Sequence, residues 1–362
     1  MEQNCNSWIA DALIQWYATH KRELPWRDIN DPYRIWISEI ILQQTRVNQG
    51  YEYYLRFVER FPSVKILAEA AEDEVLKYWQ GLGYYSRARN LHKAAKHIES
   101  AFGGVFPENY SDVLSLSGVG AYTAAAICSF AYNQPYAVVD GNVYRVLSRL
   151  FAISTPIYSA LGKKEFAALA QELLDKKQPG LYNQAIMDFG ALFCTPASPR
   201  CWECPLQPGC EAYRAKSPER FPVKENKTKV SNRYFNYLYI RCEDNIYLRK
   251  RSEGDIWAGL YEFPLIESEG ALLAPEALLT HSEFRDLFGD LDVELVRISS
   301  SLKHKLSHRL VEAQLVSIRI ASESDLLKTY LCIPCSRLSE YPVSRLISLL
   351  LEKNRLLPDL FK

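Results

Sequence analysis

The stretch CTPASPRCWECPLQPGC, residues 194–210, brings four cysteines into one short loop. Cys194, Cys201, Cys204 and Cys210 are separated by six, two and five residues. Such a loop can wrap four thiolates around a single centre, which suits either a zinc ion or a [4Fe–4S] cluster. The chain has nine cysteines, an odd number, and this crowding favours a metal site over disulfides in a reducing compartment.

Upstream of this loop the sequence is predicted to be almost entirely helical. Apolar residues recur there at intervals of three and four, and Pro- or Gly-containing connectors such as Phe61-Pro62-Ser63 separate the periodic segments. The predicted helices are Trp8–Tyr17, Arg34–Gln44, Tyr51–Phe61, Asp73–Gln80, Ala88–Ile98, Tyr122–Tyr132, Gly141–Phe151, Lys164–Leu174 and Asn183–Phe193.

Downstream of the loop the composition changes, which predicts a second domain. Residues 214–232 are rich in Lys, Glu, Ser and Pro and are expected to form a linker. Beyond them, Arg233–Arg241 and Asn245–Arg249 are predicted strands around a polar turn, Arg309–Ile320 alternates like a half-buried strand, and Tyr341–Lys353 is predicted to be a closing helix. We therefore expect a helical domain over residues 1–213 and a smaller α+β domain over residues 233–362.

The overall composition is that of an ordinary globular protein. Lys plus Arg equals Asp plus Glu at 43 each, so any contact with nucleic acid must depend on local charge. The first twenty residues lack an export signal, and no apolar run is long enough to cross a bilayer. These features predict an intracellular protein, cytoplasmic if bacterial, with no membrane partner.

A Gly-Val-Gly turn precedes one of the helices. In Leu114–Ala124, Gly118 and Gly120 allow a tight turn and close backbone approach, and the following helix directs its free N–H groups at an anion. An isolated turn of this kind would usually be a plain connection between helices. This stretch, however, resembles a helix-hairpin-helix motif, which holds DNA phosphates without reading sequence.

Two carboxylates are candidates for catalysis. Glu39 lies in the apolar run Trp36–Leu42, where burial would raise its pKa, and Asp140 stands at the head of a helix, where an N-cap alone could explain it. Cleavage of an N-glycosidic bond needs one acid for the leaving base and one anion for the cationic sugar. It also needs a nucleotide flipped out of the duplex and a side chain in the gap, for which Gln44 and Tyr84 are candidates.

Several long segments together resemble the MutY family of adenine DNA glycosylases, within the endonuclease III superfamily. The spacing of the four cysteines is the spacing that holds a [4Fe–4S] cluster in that superfamily. The segments that carry the resemblance are Leu24–Arg27, Trp36–Thr45, Gly81–His92, Val139–Asn142, Asn183–Ala191 and Trp257–Pro264.

The resemblance implies a role for each matching residue. Glu39 would protonate adenine at N7, and Asp140 would stabilise the oxocarbenium-like state with support from Tyr122 and Asn142. Arg27 and Gln184 would line the adenine pocket. Gln44 and Tyr84 would insert beside an 8-oxoguanine paired with the adenine. The implied partner is double-stranded DNA with 8-oxoguanine·adenine or guanine·adenine mispairs, bound by a monomer.

The second domain resembles the MutT/Nudix-like domain of the same family. It has no complete Nudix catalytic box, so we interpret it as a lesion-recognition module. Ser307 and His308 fall in the place of the family's Phe-Ser-His loop, with Leu306 replacing Phe. Without the resemblance, a solvent-exposed polar loop would be the simpler interpretation.

Two other functions would use some of the same sequence features. A bifunctional endonuclease III-like enzyme would cut the backbone through a lysine Schiff base, but the helix after Gly120 begins Ala121-Tyr122-Thr123-Ala124, without a lysine. A non-catalytic DNA-binding or electron-transfer protein would not need Glu39 and Asp140. Cys332 and Cys335 form a lone C-x-x-C, which we take as incidental.

Overall fold

The computed structural model describes residues 7–224 and 230–356. These residues form two compact units. The first holds residues 7–69 and 90–224, and the second holds residues 70–89 and 230–356. Part of the predicted linker, residues 225–229, and the last positions of the predicted second domain, residues 357–362, lie outside the described residues, so the predicted domain boundaries stay predictions.

The sequence up to the cysteine loop is helical, as predicted. The α-helices are α1 Ser7–His20, α2 Pro32–Leu42, α3 Val47–Arg60, α4 Val64–Glu69, α5 Glu72–Trp79, α6 Ser86–Phe102, α7 Tyr110–Ser115, α8 Ala121–Tyr132, α9 Gly141–Leu150, α10 Ala160–Leu173, α11 Pro179–Leu192 and α12 Glu211–Arg214. Helices α4 and α7 were not predicted, because six residues are too few for a helical period to be visible. No helix in the described parts of the chain is long and apolar enough to cross a membrane.

Capping residues determine where the site-bearing helices begin. The Asp31 side chain accepts hydrogen bonds from the backbone N–H groups of Tyr33 and Arg34 at the start of α2, with Pro32 in the first turn. Helix α2 ends at Leu42, so the predicted extension to Gln44 was wrong: Gln44 has φ of 58° and lies in a turn. A left-handed residue cannot continue an α-helix, which is why the chain changes direction before Gln44.

Helices α1, α8, α9, α10 and α11 pack around one hydrophobic core. Its centre is formed by fully buried side chains such as Leu13, Leu147, Phe166 and Phe189. The half-buried cysteines Cys194, Cys204 and Cys210 pack against the same core. The cysteine loop therefore packs against the core that includes α8, which carries Tyr122, and α9, which Asp140 caps.

The second unit is a mixed sheet with helices. Its strands are β1 Ser231–Cys242, β2 Asn245–Lys250, β3 Tyr261–Glu262, β4 Leu265–Ser268, β5 Val293–Ile298, β6 Leu302–Lys305, β7 Arg309–Ile320 and β8 Leu331–Pro334. Its α-helices are α13 Pro275–Thr280, α14 Ser282–Phe288 and α15 Arg345–Lys353, besides α5 and the start of α6. The main sheet order is β3-β2-β1-β7-β5, and β4, β6 and β8 pair with β1, β7 and β2.

Strand β7 is the centre of this sheet. It runs parallel to β1 from the pair Ser231 and Arg309 to the pair Cys242 and Ile320. The interpretation of this strand as half-buried was wrong. Val311 and Leu315 face the core that includes α15, while Val316 and Ile318 face the core that includes α14, so both faces are covered.

The predicted closing helix also begins later than expected. Helix α15 starts at Arg345, because the Ser344 side chain caps it by accepting from the Ile347 N–H. Pro342 cannot donate a ladder or helix hydrogen bond, and Tyr341–Ser344 is irregular.

Candidate active site

Glu39 lies on α2 with only 7% of its surface exposed. Its Oε2 accepts a hydrogen bond of 2.7 Å from the hydroxyl of Tyr122 on α8. Burial raises the pKa of Glu39, and the negative charge of Asp140 adds to this, while the Tyr122 bond and the positive charge of Arg27 oppose it. A carboxyl group that keeps its proton to a higher pH than usual is suited to act as a general acid.

Asp140 is the N-cap of α9. Its Oδ1 accepts from the backbone N–H groups of Asn142 and Val143, both at 2.8 Å, and its Oδ2 accepts from Asn142 Nδ2 at 2.7 Å. Burial raises the pKa of Asp140, against the lowering effect of these bonds and of the Arg145 charge. The carboxylate is thus held in one orientation at the positive end of a helix dipole.

Tyr122 connects the two carboxylates electrostatically. Burial raises its pKa well above 10.0, and the charges of Glu39 and Asp140 raise it further. The phenol therefore stays neutral and can donate its hydrogen. The structure brings together these residues as the sequence predicted, although their catalytic roles stay predictions.

Two arginines that the sequence analysis did not single out connect the site to the cysteine loop. Arg145 donates from Nη2 to Asn142 Oδ1 at 2.8 Å and from Nε to the Cys194 carbonyl at 2.7 Å. Arg149 is 3% exposed and donates to the Thr195 carbonyl at 2.7 Å and toward Cys194 Sγ at 3.4 Å. Both lie one and two turns into α9, a spacing that places them on the face of Asn142.

Arg27 and Gln184, which are predicted to line the adenine pocket, each form a hydrogen bond with another side chain. Arg27 is 8% exposed and donates from Nη2 to Asp188 Oδ1 at 3.3 Å, while its buried Nε has no hydrogen-bond partner within the described ranges. Asp188 is completely buried and also pairs with Arg22. Gln184 accepts through Oε1 from the Tyr17 hydroxyl at 2.9 Å.

The sequence analysis did not predict that Asp188 and Tyr17 would contact the candidate adenine-pocket residues. Asp188 stands four residues after Gln184 on α11, so the two side chains share a helix face. That spacing was visible in the sequence. The partners Arg22 and Arg27 lie more than 160 positions away, and no local pattern could reveal them.

The four loop cysteines are half-buried and form no disulfides. Burial raises the pKa of the Cys204 thiol to about 12, and the nearby Cys194, Cys210 and Cys201 add to this. No group of three or more His, Cys, Asp or Glu side chains within residues 7–224 and 230–356 is arranged to hold a single metal ion.

Gly118 and Gly120 of the predicted hairpin differ in whether a side chain could be accommodated at their positions. Gly118 has φ of 79°, and a Cβ there would lie 2.8 Å from the Cβ of Asn90. Gly120 is the N-cap of α8 with φ of −100°, and a Cβ there would meet nothing within 4 Å. Gly118 is therefore needed for the fold of the turn, whereas the surface at Gly120 is open.

Tyr84, Ser307 and His308 all belong to the second unit. Tyr84 is 45% exposed, has φ of 46°, and its hydroxyl lies 2.5 Å from Ser307 Oγ. Both residues line a cleft of about 670 Å³. Its other lining side chains include Trp257, His304, His308 and Arg345. Gln44 lies in the first unit and is exposed.

Comparisons with known proteins match both units. Residues 37–175 match the family of HhH-GPD superfamily base excision DNA repair proteins, and residues 236–353 match the NUDIX domain. An adenine DNA glycosylase of Buchnera aphidicola subsp. Acyrthosiphon pisum (strain APS) is 33% identical, over 88% of this chain and 89% of that protein. An adenine DNA glycosylase of Mus musculus is 34% identical, over 83% of this chain and 63% of that protein.

Two solved structures resemble the first part of the chain. A thermostable thymine-DNA glycosylase has a TM-score of 0.54 at 30% identity, covering 57% of this chain and 95% of that one. Endonuclease III in a non-covalent complex with DNA has a TM-score of 0.50 at 21% identity, covering 58% of this chain and 95% of that one. The second likeness concerns the fold alone.

Proposed function

This chain belongs to the adenine DNA glycosylase family within the HhH-GPD superfamily, and we propose that it excises adenine paired with 8-oxoguanine, and with guanine, from duplex DNA. The family makes it a DNA glycosylase, a hydrolase of N-glycosyl bonds with a Nudix-like second domain. The observation that carries the specific proposal is the pairing of a buried Glu39 with a capped Asp140 around one neutral tyrosine.

Glu39 is proposed to be the acid. Its raised pKa preserves a proton that can be delivered to N7 of a flipped adenine as the bond to the sugar breaks. Protonation turns the base into a neutral leaving group. Tyr122 holds the carboxyl group in position through its hydrogen bond to Oε2.

Asp140 is proposed to stabilise the positive sugar. As the bond breaks, charge develops at the anomeric carbon, and a fixed carboxylate stabilises that charge without having to reorganise. Oδ1 of Asp140 is committed to two backbone N–H groups, so Oδ2, held by Asn142, is the oxygen available to the sugar. A water molecule then completes hydrolysis.

Arg27 and Gln184 are proposed to hold the adenine. The unpartnered Nε of Arg27 is a buried donor, and burial without a partner is costly unless a ligand satisfies the group. Asp188 orients Arg27 by accepting the hydrogen bond from Nη2. Once a base closes this pocket, Glu39 would be more deeply buried, and this burial would raise its pKa further.

Contacts with DNA are proposed for both units. The N-terminal end of α8 at Gly120 presents free backbone N–H groups to a phosphate, and Gln44 and Tyr84 are exposed side chains that could fill the gap left by the flipped base. Ser307 and His308 would donate hydrogen bonds to the oxidised guanine. We propose that the protein does this as a monomer on double-stranded DNA.

The four cysteines are proposed to hold a [4Fe–4S] cluster. Four thiolates from one short loop are a ligand set for such a cluster, and their spacing of six, two and five residues is the spacing that the resemblance to the endonuclease III superfamily associates with it. When bound, the cluster would cross-link the loop from Cys194 to Cys210 and so brace the carbonyl that receives Arg145.

The same residues favour a monofunctional enzyme. A β-lyase needs an amine next to the sugar, and Tyr122, which contacts Glu39, occupies the first turn of α8 without a lysine beside it. We expect adenine release to precede any strand break.

The test is single-turnover incubation with duplexes that hold one 8-oxoguanine·adenine pair, with free adenine and strand breaks assayed separately. Wild type should release adenine without prompt strand cleavage, and Glu39→Gln and Asp140→Asn should each lower the rate by at least about a hundredfold. A matched duplex with cytosine opposite 8-oxoguanine should release nothing. Intact adenine in the wild-type reaction, or prompt strand cleavage, would contradict the proposal.

A further inference from the structure

Residues 70–89 belong to the second compact unit, although the chain before and after them belongs to the first. This segment carries Tyr84, and two sets of bonds hold it to the Nudix-like part of the same unit. We propose that Asp73 and Gln80 are positioning residues that set the Tyr84 hydroxyl against Ser307 and thereby determine discrimination between 8-oxoguanine and guanine opposite adenine. This inference rests on the proposed function.

The first attachment is at Asp73, at the start of α5. Its Oδ1 lies 2.6 Å from Lys250 Nζ, and its Oδ2 accepts from the Tyr261 hydroxyl at 2.8 Å. Tyr261 in turn packs edge-on against Tyr341, with ring centroids 4.9 Å apart. Both carboxylate oxygens are thus used, and both partners come from strands of the sheet.

The second attachment is at Gln80, directly after α5. Gln80 is 6% exposed, and it donates from Nε2 to Ser348 Oγ at 3.4 Å and accepts through Oε1 from the Val343 N–H at 3.4 Å. Ser348 lies on α15. A buried amide that satisfies both its donor and its acceptor across two elements fixes position and rotation together.

Hydrogen bonds and a left-handed residue constrain the loop between these attachments and the Tyr84 side chain. The Gly83 carbonyl accepts from Trp79 Nε1 and from Arg87 Nη2, both at 3.2 Å. Tyr84 adopts a left-handed backbone conformation, with φ of 46°, which a tyrosine keeps only when its surroundings impose it. A shift of α5 would therefore be transmitted to the Tyr84 side chain rather than absorbed by the loop.

The inferred discrimination depends on the hydrogen bond between Tyr84 and Ser307. Either hydroxyl can be the donor, and once one donates to the other, a single hydroxyl hydrogen remains for a ligand. At the imidazole edge, 8-oxoguanine carries an N7–H donor and a C8 carbonyl acceptor, whereas guanine carries only the N7 acceptor. The direction of one shared hydrogen bond can therefore separate the two bases, but only while the two oxygens stay within bonding distance.

The experiment compares single-turnover rates of adenine release from 8-oxoguanine·adenine and guanine·adenine duplexes. The variants are Tyr261→Phe, which removes one bond to Asp73, and Gln80→Leu, which removes the amide bonds to Ser348 and Val343 together with the bond that Lys77 Nζ donates to Gln80 Oε1. Tyr247→Phe is the matched control, because it removes a phenol–carboxylate bond of 2.7 Å to Glu323 elsewhere in the sheet. A second background carries Ser307→Ala.

We expect Tyr261→Phe and Gln80→Leu to lower the preference for the 8-oxoguanine duplex by about tenfold, with the guanine·adenine rate within about twofold of wild type and the control unchanged. In the Ser307→Ala background neither variant should lower the preference further. An unchanged preference, an equal loss on both duplexes, or additive effects with Ser307→Ala would overturn the inference. If wild type releases adenine from neither duplex, the proposed function fails instead, and this inference with it.

Discussion

The hydroxyl of Tyr122 donates to Oε2 of Glu39 over 2.7 Å, and this direct contact favours the charged form of the carboxyl group. Removing it should leave Glu39 protonated to a higher pH. One bond thus affects two properties of the proposed acid, its position and the ease with which it loses its proton.

The first prediction concerns Tyr122→Phe. Since the bond lowers the pKa of Glu39 and burial raises it, the variant should have a Glu39 pKa above that of wild type. In the proposed mechanism the rate of adenine release requires protonated Glu39, so the fall of that rate at alkaline pH should move to higher pH. The measurement is the pH profile of the single-turnover rate. A shift toward lower pH would show that Tyr122 is not the partner that matters.

The second prediction is that Glu39→Gln stabilises the protein at neutral pH. The pKa of Glu39 is raised in the folded state, so its contribution to stability is complete below the unfolded pKa and is lost as pH rises through the folded pKa. A neutral glutamine avoids this loss and should add about 0.5–2 kcal/mol near pH 7, with little gain near pH 4.

Thermal unfolding midpoints at the two pH values test this, with Glu23→Gln as an exposed control that should change neither. Equal gains at both pH values would mean that the charge of Glu39 is not the cause.

The third prediction is that Arg145→Gln impairs catalysis through Asn142. The arginine holds both the Asn142 side chain and the Cys194 carbonyl, and a shorter neutral amide cannot reach both. We expect the single-turnover rate to fall by about ten- to a hundredfold, with DNA affinity changed far less. A matching loss of affinity and rate would instead indicate a general collapse of the domain.

The fourth prediction separates the two hairpin glycines. Gly118→Ala should destabilise the protein by about 1–3 kcal/mol, because of its positive φ and the short distance to Asn90. Gly120→Ala should leave the unfolding midpoint unchanged, since its φ suits alanine and the space is open. If a DNA phosphate approaches that space, Gly120→Ala should nevertheless weaken duplex binding. Unfolding curves and binding isotherms on the same two variants decide the matter.

The fifth prediction concerns the cysteine loop. Purified protein should contain iron and acid-labile sulfide rather than zinc, and Cys204→Ser should lower both together. Cys128→Ser is the control, because Cys128 is buried in α8, far along the chain from the loop. Zinc in place of iron would overturn the cluster assignment while leaving the catalytic pair untouched.

Local chemistry explains what could be predicted from the sequence. The cysteine spacing, the cap at Asp140 and the apolar run around Glu39 are short patterns with a direct physical meaning, and the structure brings Glu39, Tyr122, Asp140 and Asn142 together. The helical first half and the α+β second half followed from hydrophobic period and composition.

Long-range pairing explains what could not be predicted. The alternation in Arg309–Ile320 suggested a strand with one solvent-exposed face. In the structure β1 pairs with this strand in parallel, and packed side chains and helices cover both of its faces. The grouping of residues 70–89 with the second unit depends on partners such as Ser348, which is 268 positions from Gln80. The roles of Arg145 and Asp188 depend on hydrogen-bond partners that only the folded chain places beside them.

The hydrogen bonds through which Asp140 caps α9 also orient its carboxylate for the proposed chemistry. A substitution at this position can therefore remove activity while the helix cap is kept. Asparagine caps helices about as well as aspartate does. Under the proposed mechanism, Asp140→Asn would therefore give a folded protein that binds DNA and releases no adenine. Measurements of protein abundance would not reveal this defect, and only an assay of base release would.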